Sequence, residues 1–117
     1  MGNPNASLWT SFAIAVEAGL LLGMVYAVSS SLWPCMGLHM AWNFLEGKFF
    51  GSPVSGVTIT GSALDATLAG PVWLTGGAFG IEASIVTVGL CLAASALLWS
   101  MRHRLGPPAT APGAPSC

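Results

Sequence analysis

The sequence predicts an all-α, polytopic membrane protein, a bundle of about three transmembrane helices. Of its 117 residues, 54% are hydrophobic, while Lys and Arg together number 3 and Asp and Glu together number 4, against roughly a quarter charged in an ordinary soluble domain. Its mean hydropathy is +0.75, whereas a soluble fold of this length needs polar side chains over much of its surface. The apolar residues also come in uncharged runs, Ala18 to Leu45 and Ala83 to Met101, and a helix needs about 20 mostly apolar residues to cross a hydrocarbon core. The lipid bilayer is therefore the expected surround. A net charge of -1 without a Lys/Arg cluster argues against nucleic acid as a partner, because phosphates are bound by clustered cations. Cys35, Cys91 and Cys117 are odd in number and lack CxxC spacing, which indicates neither a disulfide framework nor a thiolate metal site.

The opening residues Met1 to Ser7 lack the basic region of a signal peptide, so the first apolar run is expected to stay in the protein. It gives a first span over Leu8 to Val28, with Gly19 and Gly23 in the GxxxG spacing that lets membrane helices approach closely. Ser29-Ser30-Ser31 interrupts the run, and Pro34 stands where a new helix places its first-turn proline. The second helix is thus expected over Leu32 to Phe50. Gly51 to Ala78 is rich in Gly, Ser, Thr and Pro and has no Lys or Arg; it reads as a loop with one short surface or re-entrant helix near Ser62 to Leu68. A third span follows from Phe79 to Ser100 and stops at Arg102-His103-Arg104. Those arginines predict a cytoplasmic C-terminus with the Gly51 to Ala78 loop on the other side; Lys48 is the one residue against it. Residues 106–117 hold four prolines in twelve positions and read as a disordered Pro/Ala-rich tail.

Polar side chains inside apolar runs are the informative ones, because in lipid each costs several kcal/mol unless protein, water or a partner meets it. His39 and Asn43 are four apart, so a helix projects both from one face. An imidazole and a carboxamide so placed can ligate a metal, donate to a developing oxyanion or orient a water; they can equally bond a neighbouring helix and only hold the bundle together. Glu17 reads as a bundle-facing carboxylate bonded to Ser, Thr or Trp, or as part of a proton or ion path. Glu82 falls in the first turn of the third span, where the helix dipole favours a carboxylate, and reads as a structural cap. His103 reads as a solvated juxtamembrane residue. The run Gly76-Gly77-Ala78-Phe79-Gly80 is no dinucleotide fingerprint, since neither a preceding buried strand nor a downstream acidic partner fits.

The stretch Ser31-Leu32-Trp33-Pro34 followed by Gly37-Leu38-His39-Met40-Ala41-Trp42-Asn43-Phe44 resembles the CPBP family, the intramembrane CAAX proteases and bacteriocin-processing proteases. Further segments agree in order: Gly51-Ser52-Pro53-Val54-Ser55-Gly56, and Leu74-Thr75-Gly76-Gly77-Ala78-Phe79-Gly80-Ile81-Glu82-Ala83-Ser84, which is similar to the family's terminal TGGxFGxExS segment. The family's EExxxR and FxxxH motifs are not in these 117 residues, and Gly2 to Ser7 is similar to the family segment just downstream of the FxxxH histidine. The resemblance implies that residues 1–105 are the C-terminal part of a CPBP protease domain, hydrolysing peptide bonds of membrane-associated, prenylated or leader-peptide substrates in the bacterial cytoplasmic membrane. It implies His39 and Asn43 as the catalytic pair, either completing the site of a divalent metal such as zinc or stabilising the oxyanion. The upstream part of the protease would then be a required partner, and the chain alone would be inactive. Two readings from other classes remain: a non-catalytic membrane immunity or interaction module, and a small ion or proton conductor using Glu17 and His39.

Overall fold

A computed structural model describes residues 3–105; the expected tail over residues 106–117 lies outside them. Helix α1 spans Leu8–Ser29. Its start is set by Ser7, whose hydroxyl accepts from the Thr10 amide at 3.1 Å while the Thr10 hydroxyl accepts from the Ser7 amide at 2.7 Å, so two amides that the first turn leaves unbonded are satisfied reciprocally. Its middle, Ala15–Leu21, is wound as a π-helix. Ser30 ends it in the left-handed conformation, φ 52°, with its amide donating to the Tyr26 carbonyl at 2.7 Å. The next residue, Ser31, is already the cap of helix α2, Leu32–Asn43, accepting from the Trp33 amide at 3.3 Å. Pro34 sits in that first turn, where a missing N–H costs nothing. The two-residue connection folds α2 back beside the second half of α1, and the Cys35 thiol donates to the Leu22 carbonyl across the pair at 3.4 Å. A second π segment, Phe44–Phe49, continues α2.

The short helix expected near Ser62 to Leu68 does not form. The amides of Ala63, Leu64 and Ala66 instead donate to the carbonyls of Lys48, Phe49 and Phe50 at 2.8, 2.9 and 2.9 Å. Those carbonyls at a helix end need donors from elsewhere, and the loop supplies them rather than bonding to itself. A one-turn helix α3 forms at Val72–Thr75, followed by 3-10 turns at Gly77–Phe79 and Ile81–Ala83.

The last helix, α4, runs over Ile85–Leu105, six residues later than the expected start at Phe79. Gly80, at φ 112° and ψ 170°, breaks the backbone, and Ser84 caps the new start by accepting from the Thr87 amide at 3.0 Å. Glu82 therefore precedes the helix instead of capping it. Among the described residues there is no strand, only an isolated bridge between Val54 and Val57.

α4 packs on the first two-thirds of α1 through Ala13, Val16, Val88 and Cys91, with Leu21 beside them. Gly19 and Gly23 face open space and, among the described residues, bring no other helix close. The burial pattern is inverted relative to a soluble protein: Thr10, Glu17, Glu46, Ser52, Glu82, Ser84, Thr87 and Ser95 are buried, while Leu8, Trp33, Met40 and Leu90 are exposed by 94, 80, 69 and 65%. That inversion suits a lipid surround, where nothing is gained by hiding leucine and much by hiding carboxylate. Leu8–Ser29 and Ile85–Arg104 are long and apolar enough to cross a membrane. The α2 helix, with its π continuation, falls where the second span was expected, but it carries His39, Asn43, Glu46 and Lys48.

Candidate functional site

His39 and Asn43 both line a cavity of about 230 Å³ bounded by α1, α2, α4 and the Ser55 and Glu82 turns; Glu17, Trp42, Leu38 and Cys91 share its wall. One helical turn separates the pair on α2. Asn43 is half-buried and His39 is accessible, whereas Met40, between them in sequence, points outward. The α2 face that holds the pair is thus the one turned to the cavity.

Two carboxylates, Glu17 and Glu82, line this cavity, and a third, Glu46, lies beside Glu82; the three come from separate elements. Glu17 comes from the π segment of α1, Glu46 from the π segment after α2, and Glu82 from the turn before α4. All three are buried, and Glu82 lies within Coulombic range of both others. A π turn widens the helix locally and shifts the register of the residues beyond it, and here each of the two holds a buried glutamate. Glu46 accepts from the Trp42 indole N–H at 3.1 Å through Oε2, while its Oε1 lies against Gly80 and has no partner. Glu82 Oε2 accepts from the Ser55 amide at 2.7 Å and the Ser55 hydroxyl at 2.8 Å. The expected Ser, Thr or Trp donor to Glu17 is absent at Oε1, which is buried without any hydrogen bond.

The turn that presents Ser55 is held from outside. Asn3 Nδ2 donates to the Ser55 carbonyl at 2.6 Å, Asn5 Nδ2 to the Gly56 carbonyl at 3.1 Å, and the Gly56 amide donates to the Phe79 carbonyl at 2.6 Å. The Trp9 indole N–H donates to the Ala83 carbonyl at 2.8 Å, fixing the Glu82 turn to the start of α1. Chemically, the cavity offers an imidazole and a carboxamide on one wall and carboxylates on the other.

Glu46 and Ser55 are members of the site that the sequence reading missed. A signal for Glu46 existed: it lies seven residues after His39 and four after Trp42, a spacing that keeps a residue on one helical face. Ser55 gave none, because its role depends on contact with Glu82, 27 residues away. Cys35 and Cys91 are free and buried. His103 is exposed and stacks edge-on against Trp99, ring centroids 4.4 Å apart.

A structural zinc takes four protein ligands and a catalytic one three, and no group of three or more His, Cys, Asp or Glu among the described residues is placed to hold a metal ion. His39 and Asn43 alone fall short of such a set, so a metal bound at them would need donors from outside the described residues.

Neither a curated protein nor a solved structure matches the chain. A family model does match part of it: residues 2–45, the segment that contains Glu17, His39 and Asn43, carry the sequence pattern of the Rce1-like type II CAAX prenyl endopeptidases.

Proposed function

We infer that this chain supplies the HxxxN part of an intramembrane endopeptidase of the CAAX-protease kind, acting on prenylated or leader-bearing peptides at the membrane. The observation that carries it is the shared cavity wall of His39 and Asn43 within the segment that matches the family model. In that reading the His39 imidazole and the Asn43 carboxamide donate hydrogen bonds to the scissile carbonyl oxygen as it gains negative charge. Donors aimed at a developing oxyanion in a water-poor site stabilise the transition state more than the ground state. Water attack also needs a positioned base. Glu17, on the cavity wall, sits in no family motif, and the family's EExxxR and FxxxH groups would come from an upstream segment.

The chain alone is therefore expected to hydrolyse nothing. The assay is cleavage of a prenylated peptide and of a leader peptide in proteoliposomes, with this chain alone and with a co-expressed upstream half carrying EExxxR and FxxxH. Activity only in the mixture supports the reading. Activity of the lone chain that vanished in Glu17→Gln would overturn it and make Glu17 the base.

The same reading puts three spans in the bilayer, α1, α2 with its π continuation, and α4, and sets the C-terminus in the cytoplasm. Arg102 and Arg104 lie in the last turn of α4, and basic residues beside a span resist translocation. A reporter fused after Cys117 is expected to be active in its cytoplasmic form and silent in its exported form; the opposite result would invert the topology.

A further inference from the structure

The Glu17 and Glu82 end of the cavity is rich in acceptors, while the His39 imidazole and the Asn43 carboxamide are the donors on its α2 wall. Glu17 is 9% exposed and its Oε1 has no hydrogen-bond partner although the residue lines the cavity. Glu82 lines the same space, and Glu46 stands behind it with a second unpartnered oxygen. The indole and Ser55 donors around these carboxylates are already engaged: the Trp42 indole with Glu46, the Trp9 indole with the Ala83 carbonyl, and the Ser55 amide and hydroxyl with Glu82. Among the described residues the lysine and the two arginines are elsewhere. The Lys48 ammonium donates to the Thr60 carbonyl at 2.9 Å, and Arg102 and Arg104 are in the last turn of α4, roughly 27 to 30 Å along the helix from Ser84. Ile14, Leu21, Leu22 and Leu38 form the rest of the wall. An apolar sleeve ending in carboxylates is the complement of a side chain with an aliphatic stem and a cationic, multi-donor head. No cluster suited to a metal ion is present among the described residues, which disfavours an inorganic divalent cation.

We propose that the Glu17 and Glu82 end of this cavity is a subsite for the lysine or arginine side chain of a bound polypeptide, its ammonium or guanidinium seated between the two carboxylates and its stem along the leucines. As a statement about substrate, this rests on the reading of His39 and Asn43 given above: a basic residue held there would place the neighbouring peptide bond beside that pair. As a statement about binding, it stands without any cleavage.

The test uses the full chain in dodecyl maltoside micelles, titrated calorimetrically with n-butylguanidinium and n-butylammonium, and with 1-butanol as the uncharged match. The cations are expected to bind saturably and 1-butanol to give only micelle partitioning. Glu17→Gln should weaken cation binding roughly tenfold or more, the loss of one charge-assisted pair, and Glu17→Asp should recover part of it. Should Glu17→Gln lose helical circular dichroism, Ala18→Phe serves instead, filling the cavity with both carboxylates kept; it should abolish binding. Equal heats for the cations and 1-butanol, undiminished binding in Glu17→Gln and Ala18→Phe, or full competition by equimolar sodium chloride would each overturn the proposal. Glu17-dependent binding without proteolysis in the reconstituted mixture would leave the subsite standing and sink the protease reading, and cleavage without that binding would do the reverse.

Discussion

His39→Ala is expected to lower kcat/KM by about 10²- to 10³-fold in the reconstituted protease, the effect of removing one preorganised donor from an oxyanion site. Asn43→Ala should lose a similar factor. Because both side chains would address one oxygen, the double variant should fall short of the product of the two losses, as groups that act as a unit do. The alternative, in which the pair only holds helices together, makes a different forecast. His39 is accessible on the cavity wall, and a bundle-holding role would show as a fall in thermal stability with the remaining folded enzyme still active. Initial rates and unfolding midpoints measured on the same preparations separate the two. A loss below about tenfold in rate, that is under about 1.4 kcal/mol, would remove His39 from the catalytic machinery.

Gly80→Ala should be the most damaging small substitution in the turn that carries Glu82. Gly80 sits at φ 112°, and a Cβ there would land on the Pro53 carbonyl oxygen and within 3.0 Å of Glu46 Oε1. Backbone strain of this kind costs about 1 to 3 kcal/mol, and the clash adds to it because the Pro53 carbonyl belongs to the backbone of the turn presenting Ser55. The variant must either open that turn or displace the Glu82 segment, so the Ser55 bonds to Glu82 are lost with it. Gly19→Ala is the matched control: its Cβ would meet nothing, and replacing a mid-helix glycine by alanine gains roughly 0.5 to 1 kcal/mol. Thermal unfolding in detergent, followed by circular dichroism, should give a large drop for Gly80→Ala and no drop for Gly19→Ala. Equal midpoints would contradict the close approach of the two turns.

Much of the helical layout was legible in the chain because the signals that set it are local. Ser7 and Ser31 mark helix starts by bonding amides two or three residues ahead, Pro34 tolerates only a first turn, and the uncharged runs fix the length that lipid requires. The first helix accordingly begins at Leu8 and ends at Ser29, one residue beyond the expected limit. The same reasoning erred in the middle of the loop and at its far end. A helix at Ser62 to Leu68 was plausible by composition, yet the carbonyls at the end of the second helix claimed those amides. The last helix was expected from Phe79, but the Gly80 backbone, pressed on Pro53, postponed it to Ile85 and freed Glu82 to accept from Ser55.

The site divides in the same way. His39 and Asn43 were readable because a helix relates residues four apart by geometry alone. The gathering of Glu17, Glu46 and Glu82 was not, since they belong to three elements up to 65 residues apart in a 117-residue chain and no periodicity links them. The sequence by itself determined a membrane-suited set of helices and one polar pair on a single helical face. Only the tertiary structure decided that Glu17 and Glu82 share one cavity with that pair and that Glu46 lies beside Glu82, because a charge in an apolar surround is tolerated only where other polar groups converge on it, and convergence is a property of packing.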